Sequence, residues 1–140
     1  GMPNGGYSVL GRYLPEMARI AHGADKLLFV NVAGFSPDEF TALTEMSIEN
    51  GADGVEQNVG CPNVWVLTEQ KPIISYDIQS LETIIATTET RIGRPPVPVW
   101  IKLSPFVSDE LLIILFTYEF VSEHSTGILF CVQNVCNYLV

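Results

Sequence analysis

The chain is poor in positive charge, in cysteine and in long apolar runs. Seven Lys and Arg stand against sixteen Asp and Glu, which leaves a formal charge of −9 over 140 residues. No stretch is dense enough in Lys or Arg to neutralise a run of phosphates, so nucleic acid and an anionic membrane are not expected partners. The three cysteines, Cys61, Cys131 and Cys136, are an odd number at spacings that fit neither a disulfide framework nor a paired CxxC zinc site. The most apolar stretch, Leu111 to Phe120, is broken by Thr117, Tyr118 and Glu119, and it falls far short of the roughly 20 apolar residues that span a bilayer. Gly1-Met2-Pro3-Asn4 carries no basic segment, apolar stretch or small-residue cleavage site of a secretory signal, so a cytoplasmic location is expected. With no initiator Met, and with an end inside the apolar run Tyr138-Leu139-Val140, the chain reads as a piece of a longer one.

What is present is core-forming material: 47% of residues are hydrophobic and 10% aromatic, which excludes disorder as a global description. Short β-rich runs alternate with longer amphipathic segments, the pattern of βα units and a parallel sheet. The runs are Lys26 to Val32, Gly54 to Val59, Val97 to Leu103 and Gly127 to Val132. Their spacings of about 27, 43 and 30 residues are near the roughly 30 of a βαβ unit. Ser36-Pro37-Asp38-Glu39 is a capping box with Pro at the first helical position, opening a helix that stops at Asn50-Gly51. Phe40, Leu43 and Ile48, with Ala42 and Met46, form its buried stripe. Further helices are expected near Tyr7 to Ala21, with Pro15 causing a kink or a late start, at Ile78 to Ile92 before Gly93, and at Asp109 to Ser122. The surplus length lies between Cys61 and Asp77, a long connection at the carboxyl end of a strand.

Parallel α/β folds gather their chemistry at those carboxyl ends. There the sequence places Asn31, then Asn58 and Cys61, then Lys102, then Gln133 and Asn134. A Lys inside the strand-like Val99-Trp100-Ile101-Lys102-Leu103 implies an anionic or electron-rich neighbour, or a side chain that snorkels from an edge strand. A free Cys is commonly a small buried hydrophobe. Around Cys61, however, Asn58 and Asn63 place two amides in a Gly- and Pro-shaped turn, and amides suit a planar ligand with alternating C=O and N–H groups. His22 and His124 lie near helix ends, where a capping or surface role is expected. Trp65 either covers the site or packs at its mouth. Asp38, Glu39 and Glu45 make a solvated helix face, and nothing in their arrangement indicates a metal site.

Val55 to Val64, together with Asn31 to Gly34, Ile101 to Pro105 and Gly1 to Asn4, resembles class 1 dihydroorotate dehydrogenase in the same order along essentially the whole chain. The resemblance implies a partial TIM (β/α)8 barrel: one incomplete domain over residues 1–140, with about four parallel strands alternating with helices. It implies the FMN-dependent oxidation of dihydroorotate to orotate in de novo pyrimidine (UMP) biosynthesis. Cys61 would be the base that takes the proton from C5 while hydride leaves C6 for FMN. A free thiol titrates near about 8.5, so local dipoles or ordered water would have to favour the thiolate. Asn4, Asn58 and Asn63 match the amides around the substrate ring, and Gln133 and Asn134 stand at a further substrate position. Asn31, Asn58, Lys102 and Val132 match the flavin side. The resemblance also implies fumarate as a candidate electron acceptor and a homodimer for the longer protein.

The sequence departs from the family in several places. Gln133-Asn134 replaces an Asn followed by Ser or Thr, Gly60 stands where many members have Ser, and Gln57 replaces an apolar residue before Asn58. A full barrel needs about 250 residues, and no GxG turn that could cradle a phosphate occurs in the chain. Four of eight strands would leave two open edges and an uncovered apolar barrel interior. The motif around Cys61 also resembles tRNA-dihydrouridine synthase, against which the acidic balance counts. A third reading is an inactive half-barrel.

Overall fold

The computed structural model describes residues 5–61, 65–66, 69–70, 72–104 and 128–132, with the backbone alone described at 65–66, 69–70 and 128–132. Helix α1 (Gly6–Gly23) leads into strand β1 (Phe29–Val32), helix α2 (Pro37–Glu49) and strand β2 (Gly54–Asn58). A short antiparallel pair, β3 (Trp65–Val66) with β4 (Glu69–Gln70), and a 3-10 turn (Ile74–Tyr76) follow. Helix α3 (Ile78–Ile92), strand β5 (Val99–Leu103) and strand β6 (Ile128–Val132) complete the described elements. The connection after Cys61 therefore has structure of its own. The helix expected at Asp109 to Ser122, and His124, lie outside the described residues.

Strands β1, β2, β5 and β6 form one parallel sheet in that order. The register pairs Val30 with Val55 and Val55 with Val99, and likewise Val32 with Gln57 and Gln57 with Ile101. Side chains alternate across a strand, so these residues share one face. That face carries the core. Leu14 of α1 and Met46 of α2 pack on Val30, Val32, Val55 and Val99, while Phe40 of α2 and Leu81, Ile84 and Ile85 of α3 pack on Val59, Ile101 and Leu103. All three described helices thus cover the same side of a sheet whose strands follow chain order.

Among the residues whose side chains are described, the opposite face presents Phe29, Asn31, Glu56, Asn58, Trp100 and Lys102, where an apolar interior is expected. It is polar and aromatic. Phe29 meets Trp100 edge to face, with ring centroids 5.5 Å apart. Gly54 lies between the two rings, and a Cβ there would come within 2.8 Å of both.

The helix ends follow the sequence signals closely. Ser36 Oγ accepts from the Glu39 N–H (3.2 Å), while the Glu39 carboxylate accepts from the Phe35 N–H (2.6 Å), one residue earlier than a capping box places it. Gly51 (φ +92°) and Gly93 (φ +64°) take the positive φ that ends α2 and α3 at little steric cost. Helix α1 starts at Gly6, with no late start, and carries Pro15 on an exposed side.

The buried stripe of α2 differs from the apolar one expected: Phe40, Thr41, Thr44, Met46 and Ser47 are buried, while Leu43 and Ile48 flank the core. The polar members are tolerated because their hydroxyls donate back to helix carbonyls, Thr44 to Phe40 (2.8 Å) and Ser47 to Leu43 (2.7 Å). Gln57, fully buried from β2, joins them. Its Nε2 donates to Thr44 Oγ1 (3.0 Å) and Thr88 Oγ1 (3.1 Å), but its Oε1 has no partner. Since Thr44 keeps its carbonyl and Thr88 keeps Thr41, Gln57→Leu removes the unsatisfied acceptor without creating another. Its expected effect on urea unfolding is within about 1 kcal/mol, whereas Gln57→Ala leaves a cavity and costs about 2 kcal/mol or more.

At the amino-terminal end of the sheet, Asp53 Oδ2 accepts from the Leu28 N–H (2.7 Å) and bonds His22 Nε2 (2.8 Å). His22 therefore ties the end of α1 to the start of β2 and is not a helix cap. The Leu28 N–H first, and His22 second, hold the Asp53 carboxyl below its ordinary range. At the start of α3 the Ser80 side chain, then its N–H, do the same to Asp77. A depressed folded pKa stabilises the fold fully above the unfolded value of about 3.9, and this contribution is lost as pH falls through the folded value. Thermal midpoints should therefore fall as pH drops below about 4, and Asp53→Asn should lower the neutral-pH midpoint and flatten the acid arm.

Candidate functional site

Strand β2 ends at Asn58, and the ladder runs one step further through the Val59 N–H to the Lys102 carbonyl (3.2 Å). The chain then turns sharply. A Cβ at Gly60 would lie 2.5 Å from the Ser104 nitrogen, so only glycine passes β5 at this distance without a shift. The Ser that many members of the resembled family carry at this position does not fit this backbone.

A buried network fixes the turn. Ser104 Oγ donates to the Gly60 carbonyl (2.7 Å), the Ser104 N–H donates to Ser75 Oγ (3.1 Å), and Ser75 Oγ donates to the Val59 carbonyl (3.3 Å). The Ser75 N–H donates to that same carbonyl (3.1 Å). Two serines, one on the 3-10 turn and one after β5, thus position the residue that follows, Cys61, as a half-buried free thiol. Neither serine was singled out by sequence reasoning. The only cue to Ser104 was its place in Ile101-Lys102-Leu103-Ser104-Pro105.

Asn58 and Cys61 line one cleft of about 440 Å³ between the amino-terminal ends of α2 and α3. Phe35, Phe40 and Ile74 supply apolar wall, and Ser36, Asp77 and Ser80 supply polar groups. Asn58 Oδ1 is buried and accepts from no donor. An orphaned acceptor of this kind is costly unless a ligand N–H reaches it.

The other sequence candidates are distributed around this cleft. Asn31 lines a second hollow, of about 540 Å³, beside the start of α1. Lys102 stands beside Asn58 in register on the open face of the sheet. Val132 pairs with Leu103 at the end of β6, its backbone alone described. Asn4, Asn63, Gln133 and Asn134 lie outside the described residues, as do Cys131's side chain and Cys136. Trp65 is described in its backbone, on β3.

Sequence reasoning missed Glu56. Its carboxylate accepts from Trp100 Nε1 (2.9 Å) and from Asn31 Nδ2, and Lys102 Nζ stands 3.8 Å away. The signal was available, since Glu56 and Lys102 occupy the same face of adjacent strands. Among the described residues, no group of three or more His, Cys, Asp or Glu is placed to hold a metal ion, and no helix is long and apolar enough to cross a membrane.

A parallel β/α sheet with a thiol, amides and an ammonium gathered at or near its carboxyl ends has the layout of an α/β enzyme site. No protein-family model matches the chain. Among curated proteins it is similar to catalytic subunits named dihydroorotate dehydrogenase B (NAD(+)). It is 30% identical to that of Thermoplasma volcanium over 109 residues, which is 78% of this chain and 33% of the relative. The corresponding protein of Methanocella arvoryzae is 30% identical over 112 residues, 78% of this chain and 32% of its own length. That of Cutibacterium acnes is 30% identical over 111 residues, 78% and 34%. The chain thus spans about a third of the length of the curated relatives it matches. These names support an oxidoreductase by distant resemblance.

Proposed function

We propose that this chain is the central part of a dihydroorotate dehydrogenase-like (β/α)8 barrel that binds FMN and oxidises dihydroorotate to orotate, a step of pyrimidine biosynthesis. The observation that carries the reading is the pairing of Asn58, whose buried Oδ1 has no partner, with Cys61 in the lining of one cleft. Sequential parallel strands with every described helix on one face support the barrel, because a barrel sheet winds in chain order with its helices outside.

On the open face of the sheet Asn31, Asn58 and Lys102 would offer a flavin ring two carboxamides and a cation. Asn58 Oδ1 suits a ring N–H, Asn31 offers a carboxamide, and Lys102 brings a cation to the face where negative charge would collect. FMN, when bound, supplies the two-electron acceptor. Cys61 would act as the base for the C5 proton of dihydroorotate while the hydride from C6 is what FMN would accept, and Asn58, with Asn4, Asn63, Gln133 and Asn134, would hold the planar ring. The phosphate is left to groups outside the described residues.

The electron acceptor beyond the flavin distinguishes two branches. The opening Gly1-Met2-Pro3-Asn4 favours fumarate, whereas the names of the curated relatives carry NAD(+). The test is titration with FMN, followed by anaerobic addition of dihydroorotate and then of fumarate or NAD⁺ in separate runs. Bleaching of the flavin by dihydroorotate supports the reading, and recovery of colour identifies the acceptor. A full-length protein containing this chain that takes up no FMN, or whose flavin dihydroorotate does not bleach, overturns it. The same preparation, sized in solution, tests the homodimer.

A further inference from the structure

Glu56 belongs to none of the roles assigned above, yet three donors from two neighbouring strands converge on it. In register it lies between Asn31 of β1 and Trp100 of β5. Its Oε2 accepts from the Trp100 indole N–H (2.9 Å), and its Oε1 accepts from Asn31 Nδ2 and stands 3.8 Å from Lys102 Nζ. Both charged side chains are only about a quarter exposed, 24% for Lys102 and 22% for Glu56, so the pair is partly withdrawn from solvent. The indole is itself held by the edge-to-face contact with Phe29, which Gly54 makes possible. In a chain of net charge −9, a carboxylate inside a strand needs such partners to be kept there.

We propose that Glu56 is a positioning residue: it clamps Asn31 and Lys102 together on the open face of the sheet and offsets part of the ammonium charge presented to the ligand. A carboxylate is an acceptor at every lone pair, so it can receive the amide and indole N–H groups while it faces the ammonium as counter-charge. Glutamine in its place would turn an N–H towards one of them and leave the ammonium without its counter-charge. The inference rests on the flavin reading only for what the ammonium faces. The clamp itself is a property of this chain.

Two readouts test it. The first needs no flavin: acetylation of Lys102 under limiting reagent, measured by mass spectrometry against exposed Lys26 in the same molecule. Loss of the partner should raise the Lys102:Lys26 ratio in Glu56→Gln by roughly 2- to 5-fold, the range that partly exposed ion pairs supply. Glu56→Asp, which withdraws the carboxylate by one methylene, should raise it too, and it carries the test if Glu56→Gln fails to fold. The second readout is the midpoint potential of bound FMN, which should move to more positive values in Glu56→Gln and stay closer to the parent in Glu56→Asp.

A ratio unchanged in the folded variants overturns the clamp, whether or not flavin binds. A raised ratio with an unmoved potential overturns the charge-offsetting role. A parent that binds no FMN while the ratio rises leaves the clamp standing and removes the flavin reading instead.

Discussion

Replacing Cys61 with alanine is expected to lower the rate at which dihydroorotate reduces bound flavin by about 10²–10⁴-fold, the usual contribution of a positioned base. Flavin affinity should be nearly unchanged, because Cys61 follows β2 on a turn, whereas Asn31, Asn58 and Lys102, the residues proposed for the flavin, lie on strands. Cys61→Ser keeps the size and loses the acidity, so it should be almost as slow at neutral pH and recover part of the rate as pH rises. Single-turnover mixing under nitrogen separates this from slow product release. An alanine variant that reduces its flavin at the parental rate would remove the thiol from the chemistry.

Phe40→Ala should damage the core severely, at a cost of about 3–5 kcal/mol of unfolding free energy. Phe40 is 1% exposed, packs in the cluster of Leu81, Ile84, Ile101 and Leu103, and also forms a wall of the Cys61 cleft. Against a total stability of about 5–15 kcal/mol for an ordinary domain, that loss leaves little in reserve. Urea unfolding followed by circular dichroism gives the number, and the same variant should show an enlarged cleft by uptake of an apolar dye. A loss below about 1 kcal/mol would mean that α2 and α3 close over the gap.

The alternation of elements was legible because hydrophobic period and end signals agreed. Ser36 with Pro37 opened α2, Gly93 closed α3, and the four strand runs contain the four strands of the parallel sheet, whereas β3 and β4 fall in the segment read as a connection. Strand starts were overextended. Lys26 to Leu28 reads as strand, but the Leu28 N–H is taken by the Asp53 carboxylate and the Lys26 N–H by the Ala21 carbonyl, so neither is available to the ladder. The α2 stripe was misread because Thr and Ser count as surface residues in a hydrophobicity pattern. In the folded chain their hydroxyls are satisfied within the helix or by Gln57.

Part of the candidate site was legible for a different reason. Asn58, Cys61 and Lys102 stand out as polar groups at strand ends, and residue order alone places strand ends together in a parallel fold. The serines that hold the turn could not be found this way, because Ser75 and Ser104 are twenty-nine residues apart and meet only through the packing of the 3-10 turn on β5.

The sequence by itself determined the alternation of β and α, the helix ends and the acidic balance of the chain, since these follow from local period, φ preference and charge count. The tertiary structure alone decided which strand face is which. A shift of one residue would have exchanged Gln57 with Glu56. The observed register puts Gln57 among threonines under the helices and leaves Glu56 on the open face beside Asn31, Trp100 and Lys102. That choice is made by the summed burial of Val30, Val55, Val99 and Ile101 against three helices, an energy that no single stretch of sequence contains.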